Sequence, residues 1–310
     1  MWKKFDVIFK LKTHLHIGYM PFKGSVVSST RYYVPGRNLW GAVTKRITEF
    51  LHTRPSADDY KKIGKEVMQN FRFSYFYLYD RKTIYLPHYT DEGIKFGEIT
   101  KAEFEHRFIG SIISTAIDSK SRTAKDETLH EIEFINNKFK DGNENIKAVN
   151  IAGCIWVKEN AKIEDKKIII NNNGILIDNF NIIQELILGG ESKYGFGHVL
   201  LESIKKKEFC NKNSEEASEK IITIEIKSNK PIPAHLKYTK DIKFKGDVEL
   251  LTGRGYYDPK TLENNNASDN KPGKEISKIE YYFSPGIVLQ KDKDIECRLN
   301  WDGTLEVVCR

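Results

Sequence analysis

The sequence predicts an α+β fold: a ferredoxin-like domain with an inserted β-hairpin, followed by a smaller, mainly β region. Three observations indicate this fold. Residues 5–17 alternate between two sets of positions, as in a strand with one buried face. Residues 38–52 carry apolar side chains at three- and four-residue steps, as in an amphipathic helix. Strand, helix and strand patterns then return within residues 148–204, which predicts two such units within residues 1–205.

The first strand is the clearest local signal, with its apolar residues on one face. On its other face, which we expect to be wet and basic, lie Asp6, Ile8, Lys10, Lys12, His14 and His16. Pro35 and Gly36 then mark a turn before the first helix. Ser56 and Asp59 have the spacing of a capping box, which predicts a second helix that runs to about Gln69.

The later elements of residues 1–205 follow from the same two periodicities. They are, in chain order, a strand at 71–79 with aromatic residues on one face, a short partner at 83–86, an insertion at about 87–147, a strand at 148–157, a helix at 178–188 and a strand at 198–204.

Residues 206–220 are charged and show no periodicity, which predicts a linker. Beyond it, residues 221–310 form the smaller, mainly β region, and a second ferredoxin-like domain is the alternative interpretation. The candidate strands of this region are 221–228, 280–290, 294–300 and 304–309.

Composition excludes several classes of protein. The chain has 310 residues with a formal net charge of +7, and its 17 Phe, 15 Tyr and 4 Trp supply enough apolar surface to exclude disorder over the whole length. The four cysteines are scattered, which argues against a disulfide scaffold or a zinc site. No apolar stretch approaches the length of about 20 residues that a membrane-spanning helix needs. We therefore expect a cytoplasmic protein.

A glycine-rich segment between the 178–188 element and the last strand is the most informative motif. Glycines allow tight turns and close approach of a second backbone, and N–H groups of such a loop can face phosphates. The order of the elements and the missing Gly-Lys-Ser/Thr exclude a Rossmann fingerprint and a P-loop. An ordinary glycine-rich connection is the alternative. The candidate RNA-binding residues here are Gly189, Gly190, Lys193, Tyr194, Gly195, Phe196, Gly197 and His198.

The start of the first helix is the second candidate segment. A helix N-terminus attracts phosphate through its unpaired N–H groups and its dipole, and nearby cations add to this attraction. The alternative is a plain turn before a helix with a charged surface. The candidate residues are Arg31, Gly36, Arg37 and Lys45.

A β-hairpin with a basic tip is predicted at residues 116–134, and it could reach across a nucleic-acid backbone. A solvated hairpin is the alternative. The candidate contacts at its tip are Ser119, Lys120, Arg122 and Lys125.

Together and in this order, the three segments resemble the CRISPR-associated RAMP proteins. The sequence YVPGRNLWGA follows a first strand that ends in HIG, AIDSKSRTAKDETLHEIE resembles the middle block of that family, and LGGESKYGFGHV resembles its glycine-rich loop. The resemblance covers residues 1–205. It implies an RRM-type fold that binds guide RNA in a type III interference complex beside other effector subunits. The subgroup it implies is the type III-D Cas-five-like or the Cas-seven-like one.

The sequence favours a structural role over catalysis. RAMP proteins that cleave their target carry an Asp in the loop after the first strand, but residues 18–30 contain neither Asp nor Glu, so a magnesium ligand is not evident. We therefore expect no metal and no cofactor. The alternative is a metal-independent (Cas-six-type) endoribonuclease that processes repeat RNA with His14, His16 or His52.

Overall fold

The computed structural model describes residues 1–19, 25–206, 221–240, 242–255, 257, 259, 273–290 and 294–308. Its N-terminal part contains β1 (Trp2–Leu11), β2 (Val27–Ser28), β3 (Tyr33–Val34), α1 (Gly36–Leu51), α2 (Ala57–Asn70), β4 (Phe71–Phe73), β5 (Phe76–Tyr79), β6 (Pro87–Thr90), β7 (Gly93–Phe96), β8 (Ile99–Thr100), α3 (Lys101–Phe108), β9 (Ile109–Ser114), β10 (His130–Ile135), β11 (Lys138–Lys140), β12 (Ile146–Ala148), β13 (Asn150–Lys158), β14 (Lys162–Ile163), β15 (Lys166–Asn171), β16 (Gly174–Ile177), β17 (Phe180–Asn181), β18 (Glu185–Ile187) and β19 (His198–Lys205).

The C-terminal part is built of strands: β20 (Thr223–Ile226), β21 (Leu236–Lys237), β22 (Phe244–Lys245), β23 (Val248–Leu251), β24 (Arg254–Gly255), β25 (Glu275–Ile276), β26 (Glu280–Phe283), β27 (Val288–Leu289), β28 (Ile295–Leu299) and β29 (Leu305–Val307). Its main sheet has the order β20-β28-β29-β21-β26-β23. The described part of residues 221–310 contains no helix, as expected for a mainly β region. Of the predicted linker, residues 207–220 lie outside the described residues.

The central sheet has the order β18-β19-β1-β13-β5-β3, and β4 also pairs with β13. β1 lies in the middle and pairs antiparallel with β13 and with β19. Counted along the chain, β1, β4 with β5, β13 and β19 are the first to fourth strands, and they lie side by side in the order four, one, three, two. This is the ferredoxin-like arrangement that the sequence predicts.

The first two helices are confirmed. α1 buries Leu39, Val43 and Ile47 completely against the core, as its three- and four-residue spacing indicates. Ser56 accepts from the backbone N–H of Asp59, whose side chain accepts in return from the backbone of Ser56, so the capping box of α2 forms.

The helix predicted at 178–188 is wrong, because this segment forms β17 and β18. Leu186 and Leu188 are buried while Ile187 between them is 43% exposed, which is the alternation of a strand. Asp178 also has a φ of +54°, which no α-helical residue adopts. The small sheet β14–β17 therefore stands where a ferredoxin-like fold has its second helix.

The expectation that the second face of β1 is wet and basic is also wrong. Asp6 is fully buried and Ile8 is 7% exposed, because the C-terminal sheet covers this side. A second apolar core joins the two parts and contains Trp2 and Trp156 from the central sheet with Phe283 from the C-terminal sheet. The central sheet is thus buried on both faces.

The strand predicted at 71–79 is divided into β4 and β5, so its aromatic residues do not share one face. Ser74 donates its backbone N–H to the carbonyl of Cys154 and accepts the N–H of Cys154 on its hydroxyl, which interrupts the alternation. Phe73 and Phe76 therefore face the apolar core between the central sheet and the helices. Tyr75 faces the second core, between the central sheet and the C-terminal part.

The insertion at 87–147 contains the β6–β8 meander, α3, and two hairpins. In the larger hairpin β9 pairs with β10 over Ile109–Ser114 and His130–Ile135, so its first arm lies before the predicted range of 116–134, and β2 adds to it. Ile113, Ile117 and Leu129 of this hairpin are between 59% and 70% exposed. Its arms therefore carry apolar side chains in solvent.

Candidate nucleic-acid interface

The glycine-rich loop, residues 188–198, closes around the backbone that follows β1. Gly190 donates its N–H to the carbonyl of His16 (2.9 Å), and Gly197 donates to the carbonyl of His14 (2.7 Å). Gly189 and Gly197 have φ values of +75° and +84°, and a Cβ at either one would collide with a backbone carbonyl. These glycines therefore serve close backbone packing, and the N–H groups of Gly190 and Gly197 are not available to phosphate.

The apex of the loop is a 3-10 turn at Ser192–Tyr194, and it presents side chains to solvent. Lys193 is exposed and Tyr194 is 70% exposed. Gly195 follows with a φ of +83°, and a Cβ there would meet only open space. The apex is the part of the loop that a ligand can reach.

Two other predicted residues of the loop are partly buried and contact neighbouring side chains. The Phe196 ring packs edge-on against Phe134 and His14, with centroids 5.3 and 5.8 Å apart, so it anchors the loop rather than stacking on a base. The Nε2 atom of His198 lies 3.5 Å from a carboxylate oxygen of Glu185.

A cleft of about 510 Å³ lies between this loop, the start of α1 and a loop of the C-terminal part. The structure thus brings two of the three predicted segments together. The cleft is lined, among others, by Tyr19, Arg37, Lys45, Gly189, Gly190, Ser192 and Arg254. A second cleft of about 390 Å³ shares Lys45 and Ser192 with it and continues along α1 towards His198. The two clefts form one groove beside the apex of the glycine-rich loop.

Arg31 is not the exposed cation that the sequence predicts. It is 4% exposed and donates to Glu249 Oε2 (2.5 Å) and to the Tyr33 hydroxyl (3.1 Å). Burial opposes its charge, but Tyr33 and Glu249 outweigh this effect and raise the pKa of Arg31 above its usual value. Its charge is therefore balanced inside the protein.

Gly36 and Arg37 hold the start of α1 against the C-terminal part. A Cβ at Gly36 would stand 2.6 Å from the carbonyl of Phe73 and 2.8 Å from that of Asp302, so Gly36 is covered by protein. Arg37 donates to the Ser277 hydroxyl (2.8 Å) and lies over the Trp301 ring. Gly36 itself therefore cannot contact a phosphate, in contrast to the expectation from the sequence, although the residues that follow it line the cleft.

Lys45 remains an exposed cation of the groove. Its Nζ atom lies 3.8 Å from Glu49 one helical turn away, and both side chains are about half exposed, so solvent weakens this pair.

The hairpin tip is exposed at Ser119, Lys120, Arg122 and Lys125. The hydrogen bonds of Asp118 to the N–H groups of Lys120 and Ser121 shape the tip locally. The base of the hairpin contacts the glycine-rich loop through Phe134 and Phe196, and a bridge between Leu15 and Ile135 joins it to the segment that follows β1. The tip is thus linked to the glycine-rich loop through the hairpin arms and the 14–17 segment.

Sequence reasoning missed two parts of the cleft. Arg254 is exposed, and its loop, Thr252–Gly255, showed only two glycines around an arginine as a signal. Tyr19 lies with its ring 4.2 Å from the Arg31 guanidinium carbon, and nothing in the sequence links these two residues.

The histidines of the ribonuclease alternative are not grouped in the groove. His16 is 4% exposed and donates from Nδ1 to the carbonyl of Glu133 (2.7 Å). The His14 ring lies 4.4 Å from that of Phe134, and burial lowers the pKa of His14. His52 follows the other end of α1, which is 16 residues and therefore about 24 Å long. No pair of these rings is placed for acid–base catalysis at the cleft.

The described residues contain neither a cluster of metal ligands nor a membrane-spanning helix. Within those ranges, no group of three or more His, Cys, Asp or Glu side chains is placed to hold a metal ion. Nor does the described part contain a helix that is long and apolar enough to cross a membrane.

No family model and no curated protein matches this chain. Solved structures do match. A chain in the cryo-EM structure of Type III-B Cmr-beta bound to cognate target RNA is similar over 92% of this chain and 86% of its own length, with 12% identity and a TM-score of 0.44. A chain of the form bound to cognate target RNA and AMPPnP is similar over 92% of this chain and 86% of its own length, with 9% identity and a TM-score of 0.49. A chain of the apo state is similar over 65% of this chain and 97% of its own length, with 10% identity and a TM-score of 0.35. All three come from structures of Type III-B Cmr-beta.

Proposed function

We propose that this protein binds single-stranded guide RNA as a non-catalytic structural subunit of a type III CRISPR interference complex. One observation carries the proposal: the glycine-rich loop and the start of α1, which resemble motifs of RNA-binding RAMP proteins, line the same groove. Exposed cations stand around that groove, namely Lys45 on α1, Lys193 at the loop apex and Arg254 on the C-terminal part.

The chemistry of the groove suits a sugar–phosphate chain. Cations spaced along a groove neutralise successive phosphates and release counterions, which gives affinity without sequence preference. The hairpin tip, with Lys120, Arg122 and Lys125, supplies a second exposed basic segment. We assign these residues to contacts with the RNA backbone and the hairpin arms to contacts with neighbouring effector subunits.

The non-catalytic assignment has two supports. Residues 18–30 contain no carboxylate that could hold magnesium. The buried His16 and the distant His52 are not placed to exchange protons with RNA in the groove. The choice of subgroup rests on a different feature. The glycine-rich loop lies in the middle of the chain and a sizeable C-terminal part follows it, which favours assignment to the type III-D Cas-five-like subgroup over the Cas-seven-like one.

The salt dependence of RNA binding tests the proposal. We expect Lys45→Ala and Lys193→Ala each to weaken binding of a single-stranded RNA and to reduce the slope of log K against log salt by about 0.7, because each removes one phosphate contact. A third variant, with alanine at Lys120, Arg122 and Lys125, is expected to reduce the slope further. The measurement is fluorescence anisotropy over a range of salt concentrations.

Lys167→Ala is the matched control, because Lys167 is an exposed lysine three residues from Glu164, which faces His52 at the far end of α1. Its slope should equal that of the unchanged protein. Equal slopes in Lys45→Ala, Lys193→Ala and the control would contradict the assigned contacts. Discrete cleavage of repeat RNA in EDTA would instead establish the ribonuclease alternative.

A further inference from the structure

The cleft differs in charge between its rim and its floor. Lys45 and Arg254 are exposed cations at the rim. The charges of the floor balance. Arg31 is paired with Glu249 at 2.5 Å, with 5% and 18% of the two side chains exposed. Arg37 and the buried Asp302 line the same cleft with opposite charges. A phosphate is therefore attracted to the rim, and the floor favours a group without net charge.

Tyr19 forms an aromatic surface on this floor. Its ring lies 4.2 Å from the Arg31 guanidinium carbon, within the distance of a cation–π contact. Glu249 and the Tyr33 hydroxyl fix the guanidinium, and thus the face of the ring that rests on it. The ring is nevertheless 46% exposed, and it lines the cleft. One face of the ring thus rests on Arg31, and nearly half of the Tyr19 surface is accessible to a ligand.

We propose that one unstacked base of the RNA enters this cleft and stacks on Tyr19, while its phosphate stays at the rim with Lys45 and Arg254. The inference rests on the proposed function. Aromatic rings bind bases of single-stranded RNA in this way, and stacking tolerates any base because each has a π-face. The cleft, at about 510 Å³, lies in the size range of pockets that hold small organic groups. The site is therefore expected to bind any of the four bases with similar affinity.

Stacking and phosphate contacts respond differently to salt, and this difference makes the test sharp. A stacking contact is worth about 1–3 kcal/mol, so Tyr19→Ala should weaken RNA binding about 5- to 150-fold. The slope of log K against log salt should not change, because no counterion is released by stacking. Arg254→Ala should instead reduce the slope by about 0.7, and Tyr19→Phe should bind like the unchanged protein.

Phe50→Ala is the control for the loss of a partly exposed aromatic ring, since Phe50 is 39% exposed in the last turn of α1. It should leave RNA affinity unchanged. A second readout uses RNA with 2-aminopurine at successive positions. We expect the fluorescence of one position to be quenched on binding, and the quenching to be lost in Tyr19→Ala but kept in Tyr19→Phe.

The outcomes separate the two proposals. Binding of RNA with equal affinity by Tyr19→Ala and the unchanged protein would overturn the stacking site and leave the proposed function intact. A change of salt slope in Tyr19→Ala, or base-identity dependence of the quenching, would also overturn it. Failure of the unchanged protein to bind single-stranded RNA would contradict the proposed function itself.

Discussion

His235 joins the C-terminal part to the central sheet through a buried hydrogen bond with Tyr75, and a second hydrogen bond holds it to Glu249. It is fully buried, with Nε2 2.5 Å from Glu249 Oε1 and Nδ1 2.5 Å from the Tyr75 hydroxyl. A neutral ring satisfies both bonds, because Nε2–H donates to the carboxylate and the tyrosine donates to Nδ1. Burial lowers the pKa of His235, and Glu249 opposes this only in part. The ring is therefore expected to stay neutral below the pH at which an exposed histidine takes up a proton.

This histidine should make stability depend on pH. Near pH 6.5 the unfolded chain binds a proton at residue 235 and the folded chain does not, so the free energy of unfolding falls as the pH is lowered through that value. We expect the free energy of unfolding of His235→Gln, measured by urea unfolding, to fall less than that of the unchanged protein between pH 7.5 and 5.5. His106→Gln, at an exposed position of α3, is the control for loss of an imidazole. An identical pH dependence in His235→Gln and the unchanged protein would refute the assignment.

At the scale of elements, the glycine-rich loop needs glycine for two reasons, a positive φ and the close approach of another part of the backbone, and the two reasons apply at different positions. Gly195 and Gly197 both have positive φ, but only Gly197 also faces a backbone carbonyl at collision distance, that of Leu188. We expect Gly195→Ala to cost about 1–2 kcal/mol of unfolding free energy, the price of a left-handed alanine. Gly197→Ala should cost clearly more, because the loop must also move. Denaturant unfolding measures both, and equal losses would contradict the close approach of Gly197 to the Leu188 carbonyl.

The elements differ in how far the sequence determines them. The capping box at Ser56 and the spacing of α1 are local, and both were predictable. The segment at 178–188 was not, because the three-residue step from Ile183 to Leu186 matches a helix, and only the exposure of Ile187 in the structure reveals a strand. The cleft was half predictable, since its motifs are local, whereas the pairing of Arg31 with a carboxylate 218 positions away depends on the tertiary fold.

At the scale of the whole molecule, the second core belongs to both parts of the chain. Trp2, Tyr77 and Trp156 of the central sheet are 9% exposed or less because the C-terminal sheet covers them. We expect a fragment of residues 1–206 to expose this surface and to lose cooperative unfolding, with binding of a hydrophobic dye as the measurement. A fragment that unfolds cooperatively at the temperature of the full chain would show that the two parts are independent.

The apolar arms of the β9–β10 hairpin have a practical consequence. The solvent-exposed isoleucines of this hairpin favour contacts between copies of the chain, since any such contact removes their side chains from solvent. Overproduced alone, the protein should therefore self-associate in a concentration-dependent way, which sedimentation velocity would detect. If the proposed function holds, purification together with the neighbouring subunits should remove this self-association.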